Sequence, residues 1–278
     1  MWWINMAYKR ILTVQDISCA GQCSITVALP VLSACGHEVC ILPSAILSTH
    51  TGGFTNPVVQ NLTGNMAAIR EHWHREGISF DLIYTGYLGS IQAIDEVKKV
   101  IDLLLAPKGR VIVDPAMADH GKLYKGLDKD YAEAMMGLCA RADLILPNIT
   151  EAAMMTGLQF REELDEAYVR QLLSCMGEKH VLMTGVGFCA EETGFVLKTD
   201  AGIAFSHHAR LDRSYHGTGD LFASAFVGAL ACGKAELDAA RIASAFTLKS
   251  IENTYENPAH GYGVKFETAL PTLIELLK

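Results

Sequence analysis

The feature that most constrains the fold is a regular alternation of short apolar, β-branched runs with longer segments of helical periodicity. The runs predict strands at Ile11–Val14, Val39–Leu42, Leu82–Thr85, Val111–Val113, Leu144–Leu146 and Val181–Thr184. Two later runs, Gly194–Lys198 and Ile203–His207, are separated by Thr-Asp-Ala-Gly and predict a hairpin. Strands separated by helices of this length indicate βαβ crossovers, and therefore a mainly parallel sheet.

The segments between these strands carry the helical pattern. Helices are predicted at Ser24–Ala34, Pro57–Glu76, Ile91–Leu105, Asp130–Cys139, Thr150–Thr156, Glu162–Met176, Leu221–Ala231, Glu236–Tyr255 and Phe266–Leu277. The strands are apolar at nearly every position, which indicates burial on both faces of the sheet. The sequence therefore predicts an α/β protein with helices on both sides of a central sheet, and ligands at the carboxyl ends of its strands.

Length and composition limit the alternatives. A chain of 278 residues that is 50% apolar can form one domain of this class, and we expect a single domain over residues 1–278. Residues 1–6 are predicted to be an N-terminal extension, too short to span a membrane. The net charge of −8, without a basic cluster, argues against nucleic acid as a partner. Eight cysteines without a CxxC pair indicate neither zinc nor disulfides, and a cytoplasmic protein is expected.

The segment Tyr215–Phe226, YHGTGDLFASAF, is the strongest candidate for a reactive site. Gly217 and Gly219, on either side of Thr218, allow successive backbone N–H groups to point at one anion, and the following helix adds its positive end. Asp220 could accept a proton from a substrate hydroxyl. An ordinary helix start would use the same residue types, so this segment alone leaves both interpretations open.

Two other glycine-containing segments compete as phosphate-binding loops. Gly228–Ala235, GALACGKA, approximates a P-loop, but Ala235 occupies the place of the required Ser or Thr and the segment ends a helix. A helix end at Gly233 is the better interpretation. Ser18–Ser24 joins a strand to a helix but lacks the G-x-G-x-x-G spacing, which disfavours a dinucleotide-binding dehydrogenase.

Polar residues follow several predicted strands. Asp114 follows one strand, and Asn148 and Glu151 follow the next; carboxylates there could hold Mg²⁺ directly or through water. Asn148 and Glu151 also have the spacing of an ordinary capping box. In the loop Leu47–Phe54, His50 and Thr51 could recognise a polar ring, and Tyr87 could stack on a flat one or pack at the edge of the core.

Taken together, these segments resemble the ribokinase-like superfamily, and within it the pyridoxal/pyridoxine/pyridoxamine kinase family. The resemblance runs in order through ILTVQDISCAGQCSI, LSTHTGG, YTGYLGS, VDPAM, ADLILPNITE, VLMTG and HGTGDLFASAF. It implies a three-layer sandwich and an enzyme that transfers the γ-phosphoryl group of ATP to the 5′-hydroxymethyl group of a B6 vitamer. It also implies Mg²⁺, with a monovalent cation left open, and a homodimer.

The resemblance assigns roles by position. Asp220 matches the family's base, and Gly217, Thr218 and Gly219 match its anion hole. The vitamer side comprises Asp16, Thr51 and Tyr87, and the nucleotide side comprises Asp114, Asn148, Glu151 and Thr184, with Asp114 and Glu151 as the metal positions. His208–Arg213 falls where the family has a flap over the nucleotide.

The chain departs from the family pattern at Asp16, where many pyridoxal kinases have a serine at the pyridine edge. An aspartate there could pair with a protonated ring nitrogen or favour an aminopyrimidine. The related hydroxymethylpyrimidine kinases typically have a cysteine where this chain has Asp220, which favours the pyridoxal type. Hydroxymethylpyrimidine (phosphate) kinase is the alternative, and a vitamer- or nucleotide-binding module without turnover is the second.

Overall fold

The structure is a computed structural model that describes residues 8–211, 213, 215–255, 257 and 260–278. The predicted extension at residues 1–6 lies outside this range. The chain divides into two compact units, which we call the first unit (Met1–Arg110 with Arg213–Lys278) and the second unit (Val111–Asp212). The single domain expected from the sequence stays a prediction.

Helices and strands alternate along the chain as predicted. The strands are β1 Arg10–Ala20, β2 Glu38–Thr49, β3 Val59–Asn61, β4 Phe80–Thr85, β5 Leu105–Val113, β6 Ala118–Asp119, β7 Lys122–Leu123, β8 Leu144–Ile145, β9 His180–Thr184, β10 Glu192–Thr199 and β11 Gly202–Ala209. The helices are α1 Ile25–Ala34, α2 Thr63–Arg75, α3 Ile91–Leu104, α4 Lys129–Cys139, α5 Ile149–Thr156, α6 Glu166–Cys175, α7 Thr218–Ala231, α8 Glu236–Tyr255 and α9 Leu270–Leu277, with a 3₁₀ turn at Phe266–Ala269.

The strands form a nine-stranded, mostly parallel sheet and a separate β6–β7 pair, which confirms the α/β prediction. In the first unit the order is β4-β1-β2-β3, and β1 pairs in parallel with both β4 and β2. In the second unit, which begins within β5, the order is β5-β8-β9-β10-β11. β5, β8 and β9 are parallel, and β10–β11 is the predicted antiparallel hairpin. Parallel strands bring the residues that follow them to one edge of the sheet.

Several elements differ in extent from the sequence prediction. β1 and β2 run well past Val14 and Leu42, and their pairing shifts register between Gln15 and Ile17, so that Asp16 lies within β1 at the irregularity. The helix predicted to begin at Pro57 begins at Thr63, because residues 59–61 pair with β2 as an antiparallel edge strand. Pairing to a neighbouring strand here overrides local helical periodicity.

α7 is a largely buried helix of the first unit. Ten of its residues are buried, so the small residues after Asp220 serve close packing. A side chain at Gly228 would place its Cβ 2.4 Å from Sγ of Cys35, the residue that follows α1, a distance that only glycine permits. α7 ends at Ala231 and Gly233 is left-handed (φ 86°), so GALACGKA is a helix terminus, as predicted, and not a P-loop.

None of the helices in the described part of the chain is both long and apolar enough to cross a bilayer.

Candidate active site

The start of α7 requires glycine at residue 217, whereas residue 219 has free space around it. Gly217 is the N-cap with φ 78°, and a Cβ there would lie 1.9 Å from Gln22 O. Gly219 is exposed, and a Cβ there would meet nothing within 4 Å. Thr218 Oγ1 donates to Tyr215 O at 3.2 Å. Gly217 therefore fixes the turn against the β1–α1 loop, while the surface at Gly219 is accessible to a ligand.

Asp220 lies in the first turn of α7 and is partly buried. Its Oδ2 accepts a hydrogen bond from Ser24 N at 2.9 Å. Burial raises the pKa of Asp220 to about 6; the bond from Ser24 N opposes this rise, and the charge of Asp16 adds to it. A carboxylate with a pKa near neutrality, at the positive end of a helix, has the properties of a general base.

Asp16 is a second buried carboxylate in the same unit, with 3% of its surface exposed. Oδ1 accepts from Ser24 Oγ at 2.5 Å and Oδ2 from Ser18 Oγ at 3.0 Å. Burial raises the pKa of Asp16, and both hydroxyl bonds lower it. Burial raises the pKa of Tyr87, and the charge of Asp16 adds to this rise, which indicates that the two side chains are near each other.

Ser24 joins the two carboxylates, and the sequence reasoning missed it. Its N–H donates to Asp220 and its hydroxyl to Asp16. It has φ 55°, a region where residues other than glycine are strained. The sequence assigned Ser24 only to the start of α1. Hydrophobic periodicity does not reveal an unusual backbone conformation at a single residue. The only sequence signal for Ser24 was a hydroxyl residue between a predicted strand and a predicted helix.

The loop that contains His50 and Thr51 packs beside the start of α7. The His50 ring lies 5.5 Å from that of His216, the residue before Gly217, and 5.0 Å from Phe54. His50 is 5% exposed, and neither ring nitrogen has a hydrogen-bond partner among the described residues. Burial, and then His216, lower the pKa of His50, so the imidazole is neutral at pH 7. Thr51 is exposed.

The second unit has its own group of predicted residues. Asn148 caps α5 and forms a reciprocal capping box with Glu151. Glu151 Oε1 accepts from Met117 N at 2.8 Å and Ala118 N at 3.3 Å, and Oε2 accepts from Asn148 N at 2.9 Å. Burial raises the pKa of Glu151 to about 7, while these hydrogen bonds oppose the rise. Both carboxylate oxygens of Glu151 thus accept hydrogen bonds from backbone N–H groups.

Asp114 and Thr184 complete this second group. Asp114 directly follows β5, is half-buried, and accepts from Ala116 N at 3.1 Å through Oδ1. Thr184 ends β9 and pairs with Asn148 in an isolated parallel bridge. In the second unit, Asp114, Asn148 and Thr184 therefore lie at or just after strand ends, with Glu151 in the first turn of α5. The first unit contains Asp16, Tyr87 and Asp220. His208–Arg213 includes residue 212, which lies outside the described residues.

The fit of a divalent cation depends on the oxygens that these residues present. Among the described residues, no group of three or more His, Cys, Asp and Glu side chains could hold a metal. Mg²⁺ in phosphotransferases commonly uses only one or two carboxylates and completes its shell with water and substrate phosphates. Asp114 fits such a role as a hard oxygen ligand. Glu151, whose oxygens both accept backbone N–H groups, fits a contact through water.

Comparisons with known proteins identify the family of the chain. A family model described as phosphomethylpyrimidine kinase matches residues 33–265. Pyridoxal kinase from Arabidopsis thaliana is 28% identical over 236 residues, which cover 79% of this chain and 73% of that protein. The crystal structure of pyridoxal kinase from Lactobacillus plantarum superposes with a TM-score of 0.89 at 31% identity, covering 97% of this chain and 98% of that one.

A second similar structure is a protein from Bacteroides thetaiotaomicron VPI-5482 described as a phosphomethylpyrimidine kinase, in its orthorhombic form with pyridoxal. It has a TM-score of 0.90, 30% identity and 96% coverage of both chains. These similarities confirm the ribokinase-like fold predicted from the sequence.

Proposed function

The chain belongs to the phosphomethylpyrimidine kinase family, and from its similarity to pyridoxal kinases we propose that it phosphorylates the 5′-hydroxymethyl group of a B6 vitamer. It is a phosphotransferase that acts on an alcohol group. The proposed donor is ATP, and the proposed acceptor is pyridoxal, pyridoxamine or pyridoxine.

The observation that carries the proposal is the start of α7. Asp220 combines a raised pKa with a position in the first turn, directly after a glycine turn whose outer surface is open at Gly219. Asp220 takes the proton of the vitamer hydroxyl as its oxygen attacks the γ-phosphorus. The N–H groups of Gly217, Thr218 and Gly219 stabilise the charge on the transferring phosphoryl group. Transfer is direct, without a covalent enzyme intermediate.

The vitamer side of the site is proposed to comprise Asp16, His50, Thr51 and Tyr87. A carboxylate held by two hydroxyl groups suits a protonated pyridine nitrogen, and a half-buried tyrosine suits the face of the ring. A neutral His50 can donate or accept a hydrogen bond to a ring substituent. Pyridoxal in the similar Bacteroides structure supports a vitamer of this class.

On the nucleotide side, Asp114, Asn148, Glu151 and Thr184 are proposed to form the surroundings of the ATP phosphates. Mg²⁺ would be held by Asp114, and through water by Glu151, and would neutralise charge on those phosphates. The homodimer, the cytoplasmic location and a monovalent cation stay predictions.

Hydroxymethylpyrimidine (phosphate) kinase activity is the second candidate. It is favoured by the description of the matching family and by Asp16, because a carboxylate can also accept from the amino group of an aminopyrimidine. Asp220 disfavours it by the resemblance described above.

One assay separates these candidates. ADP release is measured with Mg²⁺ and ATP in the presence of pyridoxal, pyridoxamine, pyridoxine or hydroxymethylpyrimidine, with phosphorylated product identified by mass. The proposal expects kcat/KM to be highest for a B6 vitamer. A higher value for the pyrimidine would replace it with the second candidate, and vitamer binding without ADP release would indicate a binding module.

A further inference from the structure

The loop between β1 and α1 is built around a serine with two different partners. Ser24 donates its N–H to Asp220 Oδ2 at 2.9 Å and its hydroxyl to Asp16 Oδ1 at 2.5 Å. Ser24 is 5% exposed, so water does not compete freely for either bond. A single buried residue therefore connects the proposed base with the carboxylate proposed for the vitamer side.

The backbone of Ser24 is in a conformation that its residue type disfavours. Its φ of 55° and ψ of −133° combine a positive φ with an extended ψ, a region populated mainly by glycine. Such a conformation persists only where surrounding contacts hold it. The hydroxyl bond to Asp16 is one such contact, and an isolated antiparallel bridge between Ile17 and Ser24 is another.

We propose that Ser24 is a positioning residue: its hydroxyl bond to Asp16 holds the left-handed backbone that directs its N–H at the carboxylate of Asp220. The inference rests on the proposed function, in which Asp220 is the base. The N–H favours the ionised carboxylate that proton abstraction requires. The vitamer-side carboxylate thereby helps to set the protonation of the base through Ser24.

Other groups near Asp220 could also change its pKa. Asp16 of β1 raises its pKa, and Cys23, beside Ser24, experiences the charge of Asp220 in return. Burial holds the pKa of the Cys23 thiol well above its ordinary value, so that thiol stays neutral across the working range. Changes at Ser24 must therefore be separated from changes at Asp16.

Ser18 provides that separation. Its hydroxyl also donates to Asp16, at 3.0 Å through Oδ2, but Ser18 makes no hydrogen bond to Asp220 in the described structure. Ser18→Ala therefore removes a hydroxyl from Asp16 and leaves the N–H of Ser24 in place. Ser24→Gly removes the other hydroxyl while keeping a residue that tolerates positive φ. Ser24→Ala removes the hydroxyl and leaves a residue type that disfavours positive φ, so nothing holds the original conformation.

The test is the pH dependence of kcat/KM for the preferred vitamer between pH 5 and 9. In Ser24→Ala, the backbone relaxes and the N–H leaves Asp220, so the acidic limb is expected to move to higher pH by about one unit, the equivalent of a hydrogen bond to a charged group. Ser24→Gly should move it upward by less, because glycine retains access to the same conformation. Ser18→Ala should leave the limb in place.

Unchanged limbs in both Ser24 variants would overturn the inference, as would an equal shift in Ser18→Ala. If Ser24→Ala does not fold, the limb of Ser24→Gly decides, since its shift is also predicted to be upward. A purely packing role would lower the melting temperature without moving the limb.

A second readout does not require turnover. Loss of the N–H matters only when Asp220 is ionised, so the loss of melting temperature caused by Ser24→Ala should be larger at pH 8 than at pH 5. In an Asp220→Asn background this pH dependence should vanish. If the wild-type protein phosphorylates no vitamer, the proposed function fails, and this unfolding comparison still supports or refutes the link between Ser24 and Asp220.

Discussion

The two units each place a carboxylate in the first turn of a helix, buried at Glu151 and partly buried at Asp220, and the two carboxylates are held differently. Burial raises the pKa of both, to about 6 for Asp220 and about 7 for Glu151. Glu151 accepts three backbone N–H groups through both oxygens, whereas Asp220 accepts one from Ser24 through Oδ2 beside an open glycine surface. A similar sequence context thus produces a carboxylate that organises backbone and one suited to proton transfer.

The largest expected effect comes from neutralising each carboxylate in turn. Asp220→Asn should lower kcat by about 10²- to 10⁴-fold, the range of a general base. Its melting temperature at pH 8 should equal or exceed that of the wild type, because the substitution removes a partly buried charge. Glu151→Gln should lower turnover less, by about 10- to 100-fold, as for residues that act through water or neighbouring groups.

The free energy of unfolding should rank the two variants in the opposite order: Glu151→Gln should lose more stability than Asp220→Asn. In Glu151→Gln the new amide group would face the N–H of Asn148, donor against donor, which costs about 1–3 kcal/mol of unfolding free energy. Chemical denaturation and steady-state kinetics of the two variants measure both quantities. Near-normal kcat in Asp220→Asn would remove Asp220 from the role of base, and the contrast between the two carboxylates would then be lost.

The glycines at the start of α7 sharpen the comparison with α5, whose start is capped by a side chain. Gly217→Ala should lower the unfolding free energy by more than about 2 kcal/mol, because it adds the cost of a positive φ to a clash with Gln22 O. Gly219→Ala meets open space and should fold with unchanged or slightly higher stability. Its kcat should nevertheless fall, since the new methyl group occupies the surface proposed for the phosphoryl group.

Thermal melts and kcat of the two alanine variants provide the measurement. Equal melting temperatures would show that the turn tolerates a side chain at residue 217. Normal kcat in Gly219→Ala would exclude that surface from phosphoryl binding.

How much of this could be predicted from the sequence depends on the range of the interactions involved. The order of strands and helices follows from local periodicity, and α8 was predicted with its observed limits, Glu236–Tyr255. The edge strand β3 was missed because it forms only through pairing with β2. The capping box of Asn148 and Glu151 was legible as a local spacing.

The hydrogen bonds that surround that capping box could not be predicted from the sequence. The bonds from Met117 and Ala118 to Glu151 join residues more than thirty positions apart, and the bond from Ser24 to Asp220 joins residues 196 positions apart. Residue types and spacing therefore located both carboxylates, but only the folded chain shows how many donors each one has.

The smallest expected effect is a pH dependence that assigns each pKa to its carboxylate. Asp220 must be ionised to accept a proton, so kcat/KM should rise with pH through about 6. Glu151 has a folded pKa above the ordinary value of 4.5, so it stabilises the protein at low pH and loses that contribution as pH rises through about 7. Glu151→Gln should therefore flatten the decline of melting temperature between pH 5 and 8 while leaving the kinetic limb near 6.

A kinetic limb that moves in Glu151→Gln would show that the two carboxylates titrate together, and would contradict their separation into a structural and a reactive group. Glu151→Asp is the matched control, since it keeps the charge but shortens the reach to the N–H of Met117. It should destabilise the protein and retain the decline of melting temperature with pH. The comparison thus rests on two measurements: the pH dependence of melting temperature, which should depend on the charge at residue 151, and the pH dependence of kcat/KM, which should depend on the charge at residue 220.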